Sequence, residues 1–212
     1  MYEEEKKQIL DYGKKLDKYG LIALSGGNIS LRTKDGNILV TPSGMIYDEM
    51  VPSDILLVDI NGNILEGKRK PSVDTIALCY IYQHLKNVNS IIHTHQPFAT
   101  GIGLVTDEIP CYLTTLANTV KGSVNVAPYS SAASVDMGKA VVENIGNKLA
   151  VVLRNHGVVA VGKSLHEALY SAVYLEEGAK TLFVAKSIGS DLHKLSQEQI
   201  DVAVEVFNHY GQ

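Results

Sequence analysis

The stretch NISLRTKDGNILVT, residues 28–41, decides the fold. Two short β-branched runs, 28–33 and 38–41, flank Asp35-Gly36-Asn37. Asp-Gly at such a junction predicts a hairpin, because the tight turn joining two twisted strands needs residues that tolerate positive φ. The arrangement returns at ILLVDINGNILEG, 55–67, around Asn61-Gly62. A third pair, LAVVLRN and HGVVAVG over 149–162, joins at Asn155-His156-Gly157. NSIIH (89–93) and SVNVAP (123–128) read as further strands. Between them lie helical patterns. Ile9, Leu10, Tyr12, Leu16 and Tyr19 mark a helix over 3–19, and others are expected at 74–85, 96–104 and 132–145. Ser164 with Glu167 forms a capping box that opens a long helix over 165–187, and Ser196 opens a last one over 197–208. Hairpins flanked by helices, without regular βαβ alternation, predict an α/β sandwich: a mostly antiparallel central sheet flanked by helices, as one domain over 1–212.

Composition narrows the partners. The chain has 212 residues, 19 Lys plus Arg against 23 Asp plus Glu, and a net charge of −4. No basic excess exists to neutralise a nucleic-acid backbone, so no nucleic-acid partner is expected. Two cysteines, Cys79 and Cys111, are too few for a disulfide framework or a cysteine-rich zinc site. MYEEEKKQIL is acidic and helical in pattern, unlike a signal peptide, and no apolar run approaches the roughly 18 residues of a membrane span. A cytoplasmic protein with reduced thiols and no membrane partner is expected.

Seven histidines are present, and three stand at strand ends. In an extended segment residues i and i+2 face the same side, so His93 and His95 aim at one point with Thr94 turned away. His156 sits at another strand junction, before a glycine that permits close approach. Two imidazoles from one strand and a third from a distant one make the open three-histidine arrangement of catalytic zinc. The competing reading is a set of satisfied polar residues at strand ends. His84, His166, His193 and His209 lie in helical or loop contexts and read as surface or structural residues.

Three polar loops complete the picture. Ser25-Gly26-Gly27-Asn28, Thr41-Pro42-Ser43-Gly44 and Pro71-Ser72-Val73-Asp74 combine small residues, hydroxyls and backbone N–H groups that can cradle a phosphate. Taken singly, each reads first as an ordinary turn or cap, and none matches a nucleotide-binding pattern. Asp74, at a helix start, is either an N-cap or a candidate acid/base carboxylate.

Taken together, SGGNISLR (25–32), ILVTPSGM (38–45), EGKRKPSVD (66–74), IIHTHQPFAT (91–100), LRNHGVVAVG (153–162) and FNHYG (207–211) resemble the class II aldolase/adducin superfamily, nearest its L-fuculose-phosphate aldolase branch. The resemblance covers nearly the whole chain. It implies a metal-dependent aldehyde-lyase holding one Zn²⁺ per subunit on His93, His95 and His156. It implies a phosphate pocket from Gly27, Asn28, Ser43, Gly44 and Ser72, an acid/base carboxylate at Asp74, and an aromatic acid at Tyr210 placed in a neighbouring copy's site. It implies a homotetramer with active sites between subunits. The reaction implied is reversible cleavage of a ketose 1-phosphate, L-fuculose 1-phosphate in that branch, to dihydroxyacetone phosphate and L-lactaldehyde.

Departures from that branch keep other readings open. Its members carry Ser-Ser-Glu where this chain has Ser72-Val73-Asp74, and aspartate there resembles the related L-ribulose-5-phosphate 4-epimerases. The branch's other catalytic tyrosine falls at Thr114, two residues from Tyr112, while the epimerases carry an acid where Asn118 stands. A methylthioribulose-phosphate dehydratase and an adducin-like interaction module are the remaining alternatives, the latter disfavoured by the intact histidine set.

Overall fold

The structure, a computed structural model, describes residues 1–189 and 191–208. The 28–41 stretch forms the expected hairpin. β1 (Asn28–Arg32) pairs antiparallel with β2 (Ile38–Val40), setting Ser30 opposite Val40 and Arg32 opposite Ile38. β2 continues the meander onto β3 (Leu56–Val58), which pairs with β4 (Ile64–Glu66) across the Asn61-Gly62 turn. On its other side β1 pairs with β5 (Ser90–Thr94), and β5 with β9 (Gly157–Gly162). β8 (Ala150–Leu153), β7 (Val124–Ala127) and β6 (Glu108–Ile109) complete a nine-stranded sheet in the order β4-β3-β2-β1-β5-β9-β8-β7-β6. The pairing is antiparallel throughout except between β7 and β8, so the mostly antiparallel sandwich is what forms.

Helices cover both faces. α1 (Glu3–Lys18), α3 (Pro97–Gly103), α4 (Thr114–Val120), α6 (Leu165–Ile188) and α7 (Gln197–Asn208) share one core, through Ile9, Ala99, Leu116, Leu175 and Ala203. α2 (Thr75–His84) and α5 (Val135–Ile145) form the other, through Leu78, Ile81, Met137 and Val141. Strand side chains divide between the two by alternation. Val158 and Ala160 of β9 enter the first core, Val159 and Val161 the second. A strand buried on both faces cannot alternate polar with apolar, which is why 149–162 reads as continuous Val, Ala and Leu.

The caps act as their sequence predicts. Ser164 Oγ accepts from Glu167 N (3.2 Å), and Glu167 Oε2 accepts from Lys163 N (2.6 Å). The first box closes on the residue before the N-cap, whereas Ser196 and Gln199 form a fully reciprocal pair before α7. α4 and β6 are additions. TTLANTV is rich in β-branched residues with little intrinsic helix preference, and its turn is held by packing of Leu116, Ala117 and Val120. Lys6 is buried because its Nζ meets Glu66 Oε1 at 2.6 Å, tying α1 to β4. Among the described residues no helix is long and apolar enough to cross a membrane.

Candidate functional site

His93, His95 and His156 converge. Their ligand-capable nitrogens all lie within 4.8 Å of one another. The Nε2 atoms of His93 and His95 are 3.1 Å apart. Two nitrogens on a tetrahedral zinc at about 2.0–2.1 Å stand about 3.3 Å from each other, so this spacing suits two ligands of one ion. His93 is 1% exposed, and its Nδ1 lies 2.9 Å from the carbonyl of Val158. A carbonyl only accepts, so Nδ1 donates and Nε2 keeps its lone pair toward the centre, the outer-shell arrangement that fixes a metal-binding tautomer. Burial pushes the His93 imidazole down to about 4, with the nearby Asp74 charge acting the other way. Burial also lowers His95. Neutral rings are what a metal requires. His156 Nδ1 is buried without a partner, as an imidazole turned toward an ion would be. The residues present therefore fit a bound divalent transition metal.

The elements deliver these rings for local reasons. Thr94 turns to the other side, as alternation requires, and its hydroxyl donates to Gln96 Oε1 (2.7 Å). Asn155, at φ 61, turns the chain from β8 into β9 and leaves His156 at the rim. A Cβ on Gly157 would stand 2.2 Å from the Thr94 carbonyl and 3.0 Å from the His95 ring, so only glycine lets these strands close at this point. A Cβ on Gly27, at φ 75, would stand 2.4 Å from the His93 carbonyl. That glycine lets the 25–28 loop lie against the histidine strand.

Asp74 is not a cap. It precedes α2 with no side-chain bond to the helix. Its Oδ2 accepts from Asn28 Nδ2 (2.9 Å) and lies 3.9 Å from His93 Nε2, while its Oδ1 accepts from Ala133 N (3.1 Å). Register explains the meeting, since Asn28 sits directly opposite His93 in the β1–β5 pair. Ala133 holds a left-handed conformation, φ 57, so Asp74 anchors a strained turn of the 128–134 loop beside the histidines. Asn28 Oδ1 is buried with no partner.

The phosphate-loop candidates gather on the same side. The 41–44 and 70–72 segments run side by side through a Pro42–Pro71 bridge, Ser43 N donating to Lys70 O and Ser72 N to Thr41 O, both at 3.0 Å. Ile29 N donates to Thr41 Oγ1, joining this pair to β1 next to Asn28 and Gly27. One expectation changes. The amides of Ser43 and Ser72 are already bonded to carbonyls, so these two residues have only hydroxyls to offer an anion. Ser72 is buried, and its Oγ lies 3.4 Å from Asp74 N; Ser43 and Gly44 are exposed.

Residues 7–183 match the class II aldolase and adducin N-terminal domain. The chain belongs to that family. Across its whole length it is 31% identical to a 5-deoxy-D-ribulose 1-phosphate aldolase of Bacillus thuringiensis serovar kurstaki, covering 99% of that relative. A solved L-fuculose 1-phosphate aldolase superposes with a TM-score of 0.90 at 31% identity, over 96% of this chain and 95% of the other. An L-fuculose-1-phosphate aldolase of Thermus thermophilus matches at 0.76 and 28% identity, over 88% and 96%. Relatives named as aldolases, which are lyases, thus surround this class II aldolase homologue.

Two expectations for the family's tyrosines meet different outcomes. Tyr210 lies outside the described residues. Thr114 and Asn118 line a groove against α7 with Glu198, Val202 and Val206, and none of the site histidines shares that lining.

Sequence reasoning missed Glu176. It is 1% exposed, and its two carboxylate oxygens accept from Phe98 N and Ala99 N, each at 3.0 Å, at the start of α3 just after His95. Gln96 Nε2 donates to Ala172 O on the same helix (3.2 Å). The signal was available: Ala168, Ala172 and Ala179 mark the buried stripe of α6, and Glu176 falls within it. Burial raises the Glu176 carboxyl, against the two N–H bonds that lower it. Its folded pKa lies above the unfolded one, so its contribution is fully present below about pH 4 and is lost as pH rises through the folded value. The stability difference between wild type and Glu176→Gln should therefore narrow from about pH 4 toward neutrality. Urea midpoints at both ends check this, and a widening gap would contradict it.

Proposed function

We propose that the chain is a zinc-dependent class II aldolase, a single catalytic domain over 1–212, that cleaves a ketose 1-phosphate to dihydroxyacetone phosphate and an aldehyde. One observation carries the reading: three imidazoles converge with a buried carboxylate, Asp74, 3.9 Å from the nearest ring nitrogen. His93, His95 and His156 would hold the ion, which when bound supplies Lewis acidity beside the ketone. Breaking the C3–C4 bond, one removed from the C2 ketone, leaves an electron pair on C3, and the reaction runs only if that charge spreads onto the ketone oxygen. Asp74 Oδ2 faces this centre and moves the proton at the reacting carbon. The hydroxyls of Ser43 and Ser72, with Gly27, Asn28 and Gly44, hold the phosphate, so binding energy remote from the reacting bond orients it. Tyr210 of a neighbouring copy exchanges the proton at the aldehyde oxygen.

The two substrates named for the relatives are both 1-phosphorylated ketoses that end in a methyl group, and either leaves a small methyl-terminated aldehyde on cleavage. The chain is therefore assigned to short deoxyketose 1-phosphates, L-fuculose 1-phosphate among them. Phe183, Val184 and Ile188 of α6, with Val105, are exposed apolar side chains that support assembly into a tetramer. With L-fuculose 1-phosphate or 5-deoxy-D-ribulose 1-phosphate, a coupled assay should release dihydroxyacetone phosphate from a particle near four chains in mass. Conversion confined to L-ribulose 5-phosphate and D-xylulose 5-phosphate would replace this reading with the epimerase that Asp74 also suits.

A further inference from the structure

Four lysines line one groove at the end of the sheet away from the histidines. Lys86 precedes β5, Lys121 precedes β7, Lys148 precedes β8 and Lys163 follows β9. His93 and His95 stand at the far end of β5, and His156 before the first residue of β9. A five-residue strand at about 3.3 Å per residue puts about 16 Å between the two ends, so this is a separate place on the molecule. The four loops enclose a groove of about 450 Å³. That is the size of a small-molecule site.

The charge of the groove runs against the protein's. The chain carries a net charge of −4, while four of the residues lining this groove are lysines. Among the described residues, none of the four groove lysines is in an ion pair. Glu167 is the one carboxylate on the lining, and its Oε2 is engaged by the amide of Lys163 (2.6 Å) in the cap of α6. Lys148 is half-buried and pinned, its Nζ donating to Lys121 O at 2.5 Å. Asn147 adds an amide, and His84 lies on the rim stacked on Tyr80. Four cations on one lining, with its carboxylate already engaged by an amide, make the groove favourable to an anion.

We propose that this groove binds a compact multivalent oxyanion, a small molecule bearing phosphate or several carboxylates, at a site independent of the aldolase centre. Size selects a small molecule over a polyanion: about 450 Å³ is the volume of one small ligand.

Calorimetric titration of the zinc-loaded full chain with pyrophosphate, and separately with citrate, tests this. The wild type should show two classes of site. One is displaced by a sugar phosphate at the catalytic centre, and the other is not. Lys121→Gln with Lys163→Gln should weaken the second class at least tenfold and leave aldolase turnover unchanged. Asn147→Asp, which adds a carboxylate to the lining and removes no lysine, should weaken it as well. Preference for pyrophosphate assigns a phosphate ligand, and preference for citrate a polycarboxylate. Displacement of all the bound pyrophosphate by a sugar phosphate in the wild type, or variants that titrate like it, would overturn the proposal. So would displacement of pyrophosphate by a single-stranded decanucleotide that binds more tightly, since the groove would then belong to a nucleic-acid surface.

Discussion

His95→Ala is expected to abolish stoichiometric zinc and to lower kcat by about 10²–10³, the scale on which a preorganised electrostatic stabiliser acts. His95 is the informative choice of the three. It is the exposed member, whereas His93 is buried and bonded to the Val158 carbonyl, so its removal would also leave a cavity and an unpaired acceptor. With His95 gone, two ligands remain, too few for the open three-ligand site of a catalytic zinc ion. Elemental analysis should fall from about one metal per chain to a small fraction of that, with the circular dichroism spectrum and thermal midpoint little changed. Full retention of metal, or unchanged turnover without it, would remove the histidine cluster from the chemistry. The aldolase reading would fall with it.

Asp74→Asn has a comparable expected effect and separates chemistry from architecture. If the carboxylate moves a proton, kcat should fall by about 10²–10⁴, the range of general acid–base contributions, with zinc content unchanged. The substitution also disturbs structure. Asp74 accepts from both Asn28 Nδ2 and Ala133 N. Asparagine keeps one acceptor and turns an NH₂ toward the other donor, at a cost of about 1–3 kcal/mol for a buried mismatch. A chain of this size then melts several degrees lower, at about 2–4 °C per kcal/mol. That loss should be visible in the thermal midpoint at once, while the kinetic loss persists well below it. Unchanged turnover alongside a lowered midpoint would leave Asp74 as an anchor of the 128–134 loop and nothing more.

The hairpins, the capping boxes and the placement of His93 with His95 were legible in the sequence because each depends on neighbours within a few residues. Asn-Gly and Asp-Gly set turns by their own φ preferences, Ser164 reaches an amide three residues on, and the two imidazoles share a side by the twofold repeat of an extended chain. The continuous apolar runs at 149–162 also announced a strand, though not which helices would cover its two faces. α4 went unread because its Thr-rich sequence has weak local preference, and only packing of Leu116, Ala117 and Val120 sustains it.

The rest of the site belongs to pairings between distant segments. His156 reaches His93 because β9 lies beside β5 in a register that sets Val159 opposite His93, across 66 residues of chain. Asp74 read from sequence as either a cap or a base; what it touches was decided by where β1 lies on β5 and where the 128–134 loop turns back. Glu176 of α6 with the first turn of α3, and the four lysines at the opposite end of the sheet, came together only when segments far apart in the chain were stacked by that same sheet. Local turn and cap chemistry is written in single residues and their near neighbours, so the sequence determines it directly. Strand order and register are set by the burial of both faces of the whole sheet at once, a sum over the molecule that no short segment contains.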